Sequence, residues 1–124
     1  MIRILLVEDD PVIRDTTSYF LKCQQNFEVV CADTGGEALS HAREKFDVIL
    51  MDVMMPVMDG CKAAKEIRAL PRKDAKTIPI IAMTANAFTD DKIRTREAGM
   101  NEHLSKPLAP DLVVKTITKF LGKK

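Results

Sequence analysis

The sequence lacks the features that mark membrane-spanning, secreted or nucleic-acid-binding proteins. No apolar run approaches the roughly 20 residues that a membrane-spanning helix requires. The first apolar run, from Met1 to Val7, is followed at once by three acidic residues, so we do not expect a signal peptide there. The 19 basic and 18 acidic residues give a formal net charge of +1. Such a balance indicates neither a nucleic-acid-binding surface nor a tail that binds a charged polymer.

Cysteine is also scarce. The three cysteines, Cys23, Cys31 and Cys61, are odd in number and have no C-x-x-C spacing, which argues against a disulfide framework or a zinc site. Each lies in an apolar pattern, so we expect small buried hydrophobic residues in a reducing cytoplasm. The 124 residues, 46% of them hydrophobic, are enough for one globular domain over residues 1–124. We find no linker, repeat or low-complexity segment that would divide it.

One stretch, residues 46–60, organises the chain. Its first half is nearly unbroken apolar sequence, which is typical of a strand buried on both faces of a parallel sheet, although a buried helix would show the same pattern. The run ends in the carboxylate of Asp52 and then breaks into turn-forming Met-Pro and Asp-Gly pairs. In open α/β sheets, ligands lie outside the carboxyl ends of the strands, so Asp52 is placed where chemistry is expected. The alternative is that Asp52 only caps a turn.

The rest of the chain alternates between apolar runs and amphipathic segments. Four further strands are predicted at residues 2–7, 28–32, 79–83 and 102–105. Capping residues mark four helix starts: Asp10 before Pro11, Thr34 with Glu37, Asp59, and Pro110 with Asp111. A strand followed by a helix, five times over, predicts a parallel sheet with helices on both faces and right-handed crossovers.

Two segments have a weaker pattern. Residues 72–77 are polar and are predicted to form a connection after a helix that Pro71 ends. From residue 87 to 98, Phe88 and Ile93 are the only large apolar residues, so a helix there is expected to be marginal in stability. Gly99 is its expected carboxyl-terminal stop.

Chemically distinctive residues follow four of the predicted strands. Glu8 and Asp9 come after the first strand, Asp52 ends the third, Thr84 follows the fourth and Lys106 follows the fifth. If the first and third strands are neighbours, three carboxylates converge at one edge of the sheet, where they cannot easily all stay ionised. Either one carboxyl group is protonated or a cation lies among them. Oxygen ligands with room for water favour Mg²⁺.

This set of residues fits one task, the handling of a phosphoryl group. A carboxylate such as Asp52 can attack phosphorus and form an aspartyl-phosphate. A metal ion, bound also by a backbone carbonyl just past Asp52 (Val53 or Met54), would neutralise developing charge, and Lys106 would add a second positive group. The Thr84 hydroxyl would then hydrogen-bond a phosphoryl oxygen. Taken singly, each residue also has a structural explanation, as a strand end, a solvated charge or a complement to a helix dipole.

Four motifs resemble the receiver domain of two-component response regulators, and the resemblance covers essentially the whole chain. They are LVEDD at residues 6–10, MDVMMPVMDG at 51–60, MTANA at 83–87 and LSKP at 104–107. The resemblance implies a flavodoxin-like (βα)5 fold of the α/β class, a doubly wound parallel sheet with strand order 2-1-3-4-5. It also implies a phosphoryl-accepting signalling switch that catalyses its own phosphorylation and dephosphorylation.

The resemblance assigns roles to individual residues. Asp52 would accept the phosphoryl group from a histidine on a partner protein. Mg²⁺ would be bound by Asp9, Asp52 and the Met54 carbonyl, with Glu8 acting mainly through water. Lys106 would pair with the phosphoryl group.

A conformational switch is also implied. Thr84 would move toward the phosphoryl group, and an aromatic residue of the fifth strand would swing inward, changing the surface near the helix over 87–98, the fifth strand and the last helix. That position is His103 here, where Tyr or Phe is usual. Histidine is smaller and can carry charge near neutral pH, so the alternative is an exposed strand residue without a switching role. Met54 and Asn86 match positions that tune phosphate hydrolysis, and we expect a phosphoryl lifetime that is not among the shortest.

The motif MTANA and the segment at residues 98–104 are most similar to receivers of hybrid histidine kinases or phosphorelays. The expected partner is a histidine kinase or a histidine phosphotransfer protein, whose helices would meet the first helix near Val12 and Ile13, unless these residues simply pack inward. The chain would be a stand-alone regulator or one receiver of a larger kinase. We expect no direct nucleic-acid binding, no membrane contact by this domain, a cytoplasmic location and at most a weak dimer.

Three rival functions fit this sequence less well than the resemblance does. A haloacid-dehalogenase-type phosphatase needs a second Asp two residues past its nucleophile, where this chain has Met54. A flavodoxin-like flavin binder needs a phosphate-cradling loop after the first strand, where three consecutive acids would repel the phosphate. A degenerate receiver that only binds a partner would lack some of Asp9, Asp52, Thr84 or Lys106, and all are present.

Overall fold

The fold consists of one five-stranded parallel sheet and six helices over the residues that the computed structural model describes, which are 2–24, 26–42, 44–53, 59–84, 89–106 and 108–121. The strands are β1 (Ile2–Val7), β2 (Phe27–Ala32), β3 (Val48–Asp52), β4 (Ile80–Thr84) and β5 (Glu102–Ser105). The helices are α1 (Pro11–Lys22), α2 (Gly35–His41), α3 (Gly60–Arg68), α4 (Lys73–Thr77), α5 (Thr89–Glu97) and α6 (Pro110–Leu121). Among the described residues, none of the helices is long and apolar enough to cross a membrane.

The strand order is β2-β1-β3-β4-β5, and every pairing is parallel. Both the order and the parallel direction confirm the predicted fold. The order reverses direction at β1, because β2 lies on one side of it and β3 on the other. In a doubly wound sheet, such a reversal opens a crevice at the carboxyl ends of the two strands, which is where ligands bind.

The core has two halves, one on each face of the sheet. Along β1, Leu5 and Val7 belong to the half that is covered by α2 and α3, whereas Ile4 and Leu6 belong to the half that is covered by α1 and α6. All four side chains are fully buried. Because a slip of one residue would exchange the two faces, this packing fixes the register of the sheet and with it the position of every strand end.

Side-chain caps begin three of the helices as the sequence predicts. Asp10 Oδ1 accepts hydrogen bonds from the Val12 and Ile13 amides, at 2.9 and 3.3 Å. Thr34 caps α2 through the Glu37 amide and Asp59 caps α3 through the Lys62 amide. The prediction that the cysteines are buried is correct for Cys61, correct only in part for half-buried Cys31, and wrong for Cys23, which is exposed. Cys23 follows the last residue of α1 and caps that helix with its backbone N–H, so it lies past the buried stripe.

The predicted connection over residues 72–77 contains a short helix, α4, which the sequence pattern did not indicate. Arg72 pairs with Asp74 at the start of α4, at 2.7 Å, and donates to the backbone carbonyl of Ala42 at 2.8 Å. Lys76 donates to the carbonyl of Arg68 at 3.1 Å, at the end of α3. The bonds from Arg72 and Lys76 to backbone carbonyls stabilise α4 against its neighbours, because they satisfy carbonyl groups that the ends of α2 and α3 leave without intrahelical partners.

Candidate functional site

The strand order brings the chemically distinctive residues to one edge of the sheet. β1 lies beside β3, β3 beside β4 and β4 beside β5, so the residues that end these strands or follow them are neighbours. The backbone ladder continues past the strands on both sides of the site. The Glu8 amide donates to the Ala32 carbonyl at 3.0 Å, and the Lys106 amide donates to the Thr84 carbonyl at 2.8 Å. Glu8 and Lys106 are therefore positioned by the sheet itself.

Three carboxylates form the centre of the site. Glu8, Asp9 and Asp52 each offer an oxygen atom, and these three atoms lie within 4.8 Å of one another. Glu8 and Asp52 are buried, whereas Asp9 is half-buried and opens the cluster to solvent. The arrangement matches the convergence that the sequence predicts.

Lys106 is the cation that faces these carboxylates. Its Nζ lies 2.8 Å from Glu8 Oε1 and donates a hydrogen bond to Asp52 Oδ1 at 3.1 Å. The sequence does not predict the direct Glu8–Lys106 contact, because the resemblance implies a role for Glu8 mainly through water. The two charges are in contact because the side chains of Lys106 and Glu8 are both largely buried at the same place. A sequence motif does not show how deeply a side chain is buried.

The electrostatics of the site favour added positive charge. Burial raises the pKa of Asp52 to about 8, and the neighbouring Glu8 and Asp9 add to the rise, while Lys106 opposes it. Burial alone would lower the pKa of Lys106, but the two acids that it contacts outweigh burial and raise it. Three carboxylates against one ammonium group leave two formal negative charges uncompensated when all are ionised. A divalent cation of suitable size would balance them.

Thr84 and His103 belong to the two strands farther along the same edge. Thr84 is the buried last residue of β4 and lies opposite Ser105 in the β4–β5 register. His103 lies on β5, with its Nδ1 3.8 Å from Glu102 Oε1. Its side chain is about one-quarter exposed and lines a cavity of about 60 Å³ with Thr95 and Met100. His103 is thus neither fully exposed nor packed into the core. The predictions for Met54 and Asn86 fall outside the described residues.

The pKa of Asp52 predicts how the metal-free protein responds to pH. Because this pKa is raised from 3.8 to about 8, the folded state keeps a proton that the unfolded state releases, and stability from this group is lost as pH rises between those values. Asp52→Asn removes this loss. In the presence of a chelator, we expect the free energy of unfolding of the variant, relative to that of the wild type, to rise by on the order of 2 kcal/mol as the pH is raised from 5 to 8.

Urea unfolding at the two pH values measures this gain. Asp15→Asn, a substitution of an exposed acid on α1, is the matched control and should show no comparable change with pH. A difference between wild type and Asp52→Asn that stays constant from pH 5 to pH 8 would contradict the prediction.

The fold and the edge cluster define a doubly wound α/β protein whose chemistry resides in buried carboxylates and a lysine. The model of the response regulator receiver domain family matches residues 4–118. The chain belongs to this family, and it is a phosphoryl-accepting signalling switch of the two-component type. Receiver domains interact with histidine kinases or phosphotransfer proteins. The family assignment also decides against the phosphatase and flavin-binding alternatives.

Curated relatives include both short and long proteins. Protein PilH of Pseudomonas aeruginosa is 35% identical over 125 residues, with 98% of this chain and 99% of that protein covered. Sensor protein GacS of Pseudomonas syringae pv. syringae is 34% identical over 122 residues, which is 97% of this chain but 13% of that protein. The chain therefore spans only a small part of some of the relatives that it matches.

Two solved structures illustrate the similarity in fold. The receiver domain of a sensor histidine kinase from Pseudomonas aeruginosa PAO1 has a TM-score of 0.87 and 37% identity, with 97% of each chain covered. That crystal structure has a magnesium ion coordinated in its active site cleft. Vibrio cholerae chemotaxis protein CheY4 has a TM-score of 0.89 and 33% identity, covering 97% of this chain and 98% of its own.

Proposed function

We propose that Asp52 is the phosphoacceptor and that it receives a phosphoryl group from a phosphohistidine on a partner protein. The observation that carries this proposal is the environment of its carboxylate, which is buried at the carboxyl end of β3, beside two other acids and 3.1 Å from the Lys106 ammonium group. A carboxylate that is buried with like charges is costly to stability, so its presence calls for a functional explanation.

The transfer is a displacement at phosphorus. A carboxylate oxygen of Asp52 forms a new bond to phosphorus while the bond from phosphorus to the partner's imidazole nitrogen breaks. The bonding electron pair stays on that nitrogen, which takes up one proton from solvent, so the partner's imidazole is left as the neutral ring. Lys106 stabilises the negative charge of the transferred group, and the Thr84 hydroxyl donates to one of its oxygens.

Mg²⁺ is the proposed cofactor. The donor set fits this ion, since three carboxylates within 4.8 Å of one another offer hard oxygen ligands, and half-buried Asp9 leaves access for water. Asp9 and Asp52 would bind the ion directly together with the Met54 carbonyl, which lies outside the described residues. Glu8 would act mainly through water, in line with its existing contact to Lys106. When bound, Mg²⁺ supplies neutralisation of the negative charge on the transferred group.

The proposed response to phosphorylation involves Thr84 and His103. The cavity of about 60 Å³ beside His103 gives its ring space to change position between α5 and β5. The surface that changes would consist of α5, β5 and α6. Met54 and Asn86 are proposed to tune hydrolysis of the phosphoryl group.

The partner is proposed to be a histidine kinase or histidine phosphotransfer protein that docks on α1. A largely apolar groove of about 200 Å³ lies there, lined by Val12, Ile13, Phe20, Leu108 and Lys106. Val12 is 72% exposed, so it is available to a partner rather than packed inward. Lys106 lines this groove and also contacts Asp52, so a partner bound in the groove would have its histidine near the acidic site. We further propose that the chain acts in the cytoplasm as a single domain over residues 1–124, with at most weak dimerisation and no contact with nucleic acid or membrane.

Intact mass spectrometry tests the acceptor. After incubation with acetyl phosphate and Mg²⁺, the wild type should gain the mass of one phosphoryl group, and Asp52→Asn should gain none. Asp15→Asn, with an exposed acid removed, is the matched control and should be modified like the wild type. An adduct on Asp52→Asn would show that another residue is the acceptor. If acetyl phosphate gives no adduct, a phosphorylated phosphotransfer protein should be tried as the donor, and failure with both would overturn the proposal.

A further inference from the structure

Few of the side chains that the structure describes in α5, those of residues 93–97, are apolar and buried. Among its described side chains, Thr95 is buried, whereas Ile93, a large apolar residue, is 52% exposed. Ala98, directly after the helix, adds a small buried methyl group. The described side chains of α5 therefore bury little apolar area, and polar contacts carry more weight in positioning this helix than they do for α3 or α6.

The carboxyl-terminal end of α5 is anchored by Arg68 of α3. The Arg68 guanidinium donates two hydrogen bonds to the Gly99 carbonyl, at 3.0 and 2.7 Å, and one to Asn101 Oδ1 at 2.9 Å. Asn101 Oδ1 also accepts from the Ile80 amide at 2.9 Å. The segment between α5 and β5 is thus fixed to α3 and to β4.

A second arginine connects the body of α5 to the first turn of α3. Arg94 Nε donates to Cys61 Sγ at 3.4 Å, and Arg94 Nη2 lies 3.6 Å from Asp59 Oδ2. The other oxygen of Asp59, Oδ1, accepts from the Lys62 amide at 2.9 Å and caps α3. Asp59 therefore contacts both helices at once.

The first turn of α3 lies directly against the backbone of Asp52. The Gly60 amide donates to the Val53 carbonyl at 2.9 Å. A Cβ atom at Gly60 would lie 2.9 Å from the carbonyl carbon of Asp52 and still closer to its oxygen, so the two backbones are in contact. A continuous set of contacts thus leads from Asp52 through Gly60 and Asp59 to Arg94 on α5.

We infer that Arg94 is a positioning residue that ties α5 to the first turn of α3 and so couples the position of this helix to the backbone of Asp52. The coupling rests on Asp52 being the phosphoacceptor, as proposed above. The Arg94–Asp59 contact is about half exposed, and such ion pairs are individually weak. Because α5 has little apolar packing, a weak contact is enough to shift its local opening equilibrium by roughly two- to fivefold.

Hydrogen exchange of the α5 amides tests this inference. In unphosphorylated Arg94→Ala, these amides should exchange roughly two to five times faster than in the wild type, with exchange in α2 and the urea midpoint unchanged. With acetyl phosphate and Mg²⁺ present throughout, the change that phosphorylation causes in α5 exchange should fall to about half of the wild-type change or less. Arg96→Ala is the matched control, since Arg96 is an exposed arginine on the same helix.

A second variant tests the tie from the other side. Asp59→Asn keeps the cap of α3, because Asn caps helices as well as Asp does, but removes the charge that faces Arg94. It should speed α5 exchange like Arg94→Ala, and the double variant should show no further increase. The proposed role of the Arg94–Asp59 contact would be overturned if the two substitutions had additive effects. It would also be overturned if the α5 amides exchanged at the same rate in Arg94→Ala and Arg96→Ala.

Intact mass measured on the same samples separates this inference from the proposed acceptor. A phosphoryl adduct on the wild type without any change in α5 exchange would overturn the coupling while leaving the acceptor in place. If acetyl phosphate gives no adduct, the phosphorylated phosphotransfer protein is used as the donor. Absence of the adduct with both donors would overturn the acceptor and the coupling that rests on it, whereas exchange in the unphosphorylated samples tests the contact between Arg94 and α3 separately.

Discussion

Replacing Lys106 with Met should lower the free energy of unfolding of the metal-free protein by about 3 kcal/mol at pH 8. The reason is the burial of the two acids that Lys106 contacts. Glu8 and Asp52 are almost completely buried, and the ammonium group lies 2.8 and 3.1 Å from their oxygens. Met keeps the length and apolar stem of lysine, so the fall in stability reports the removal of the charge rather than a change in packing. Removal of one partner of a buried ion pair is costly chiefly because it leaves the other charges uncompensated.

Added Mg²⁺ and lower pH should both reduce this loss. Mg²⁺ would supply positive charge to the same carboxylates, and at pH 5 a protonated carboxyl group needs no partner. Urea unfolding with and without Mg²⁺, at both pH values, measures the effect. Lys115→Met, at an exposed position of α6, is the control and should change stability little. A loss for Lys106→Met that is the same in all four conditions would show that packing rather than charge is responsible.

Replacing Gly60 with Ala should also destabilise the protein, by about 3 kcal/mol. The added Cβ would lie 2.9 Å from both the Asp52 carbonyl carbon and the Val53 Cα, and these are backbone atoms that cannot rotate away. The first turn of α3 would have to move from the end of β3. We therefore expect slower formation of the phosphoryl adduct as well, since the displaced backbone is that of the proposed acceptor.

Gly36 on α2 provides a control with the opposite expected sign. Among the described residues, a Cβ there would meet only Thr34 Oγ1, at 3.8 Å, an ordinary contact. Gly36→Ala should be neutral or stabilise the protein by about 0.5 kcal/mol, because alanine has the higher helix propensity. Thermal or urea unfolding of both variants checks the pair. Equal free energies of unfolding for Gly60→Ala and Gly36→Ala would contradict the close packing of α3 against the backbone of Asp52.

Much of the sheet could be predicted from the sequence because its central strands, β3 and β4, are buried on both faces. Continuous apolar runs such as residues 48–51 are typical of such strands, and acidic or turn-forming residues indicate where the strands end. Once the order of the strands was implied by the resemblance, the meeting of Glu8, Asp9 and Asp52 followed from geometry. The caps at Asp10, Thr34 and Asp59 are local signals, and all three are present in the structure.

What could not be predicted depends on contacts between distant residues. Helix α4 is short and polar, and it is stabilised by Arg72 and Lys76 through carbonyl groups of α2 and α3 rather than by its own pattern. The tie from Arg94 to Asp59 joins residues of two helices without any shared motif. The direct pairing of Glu8 with Lys106 depends on how deeply each side chain is buried, which a motif does not record.

The residues of the site come from separate strands, and this arrangement has a consequence for protein synthesis. Glu8 comes from the beginning of the sequence, Asp52 from the middle and Lys106 from near its end, and they meet only when β1, β3 and β5 occupy one sheet. A nascent chain on the ribosome that has not yet released β5 therefore has no lysine beside Asp52. If Asp52 is the phosphoacceptor, as proposed, the complete site exists only after residue 106 has been synthesised and β5 has joined the sheet.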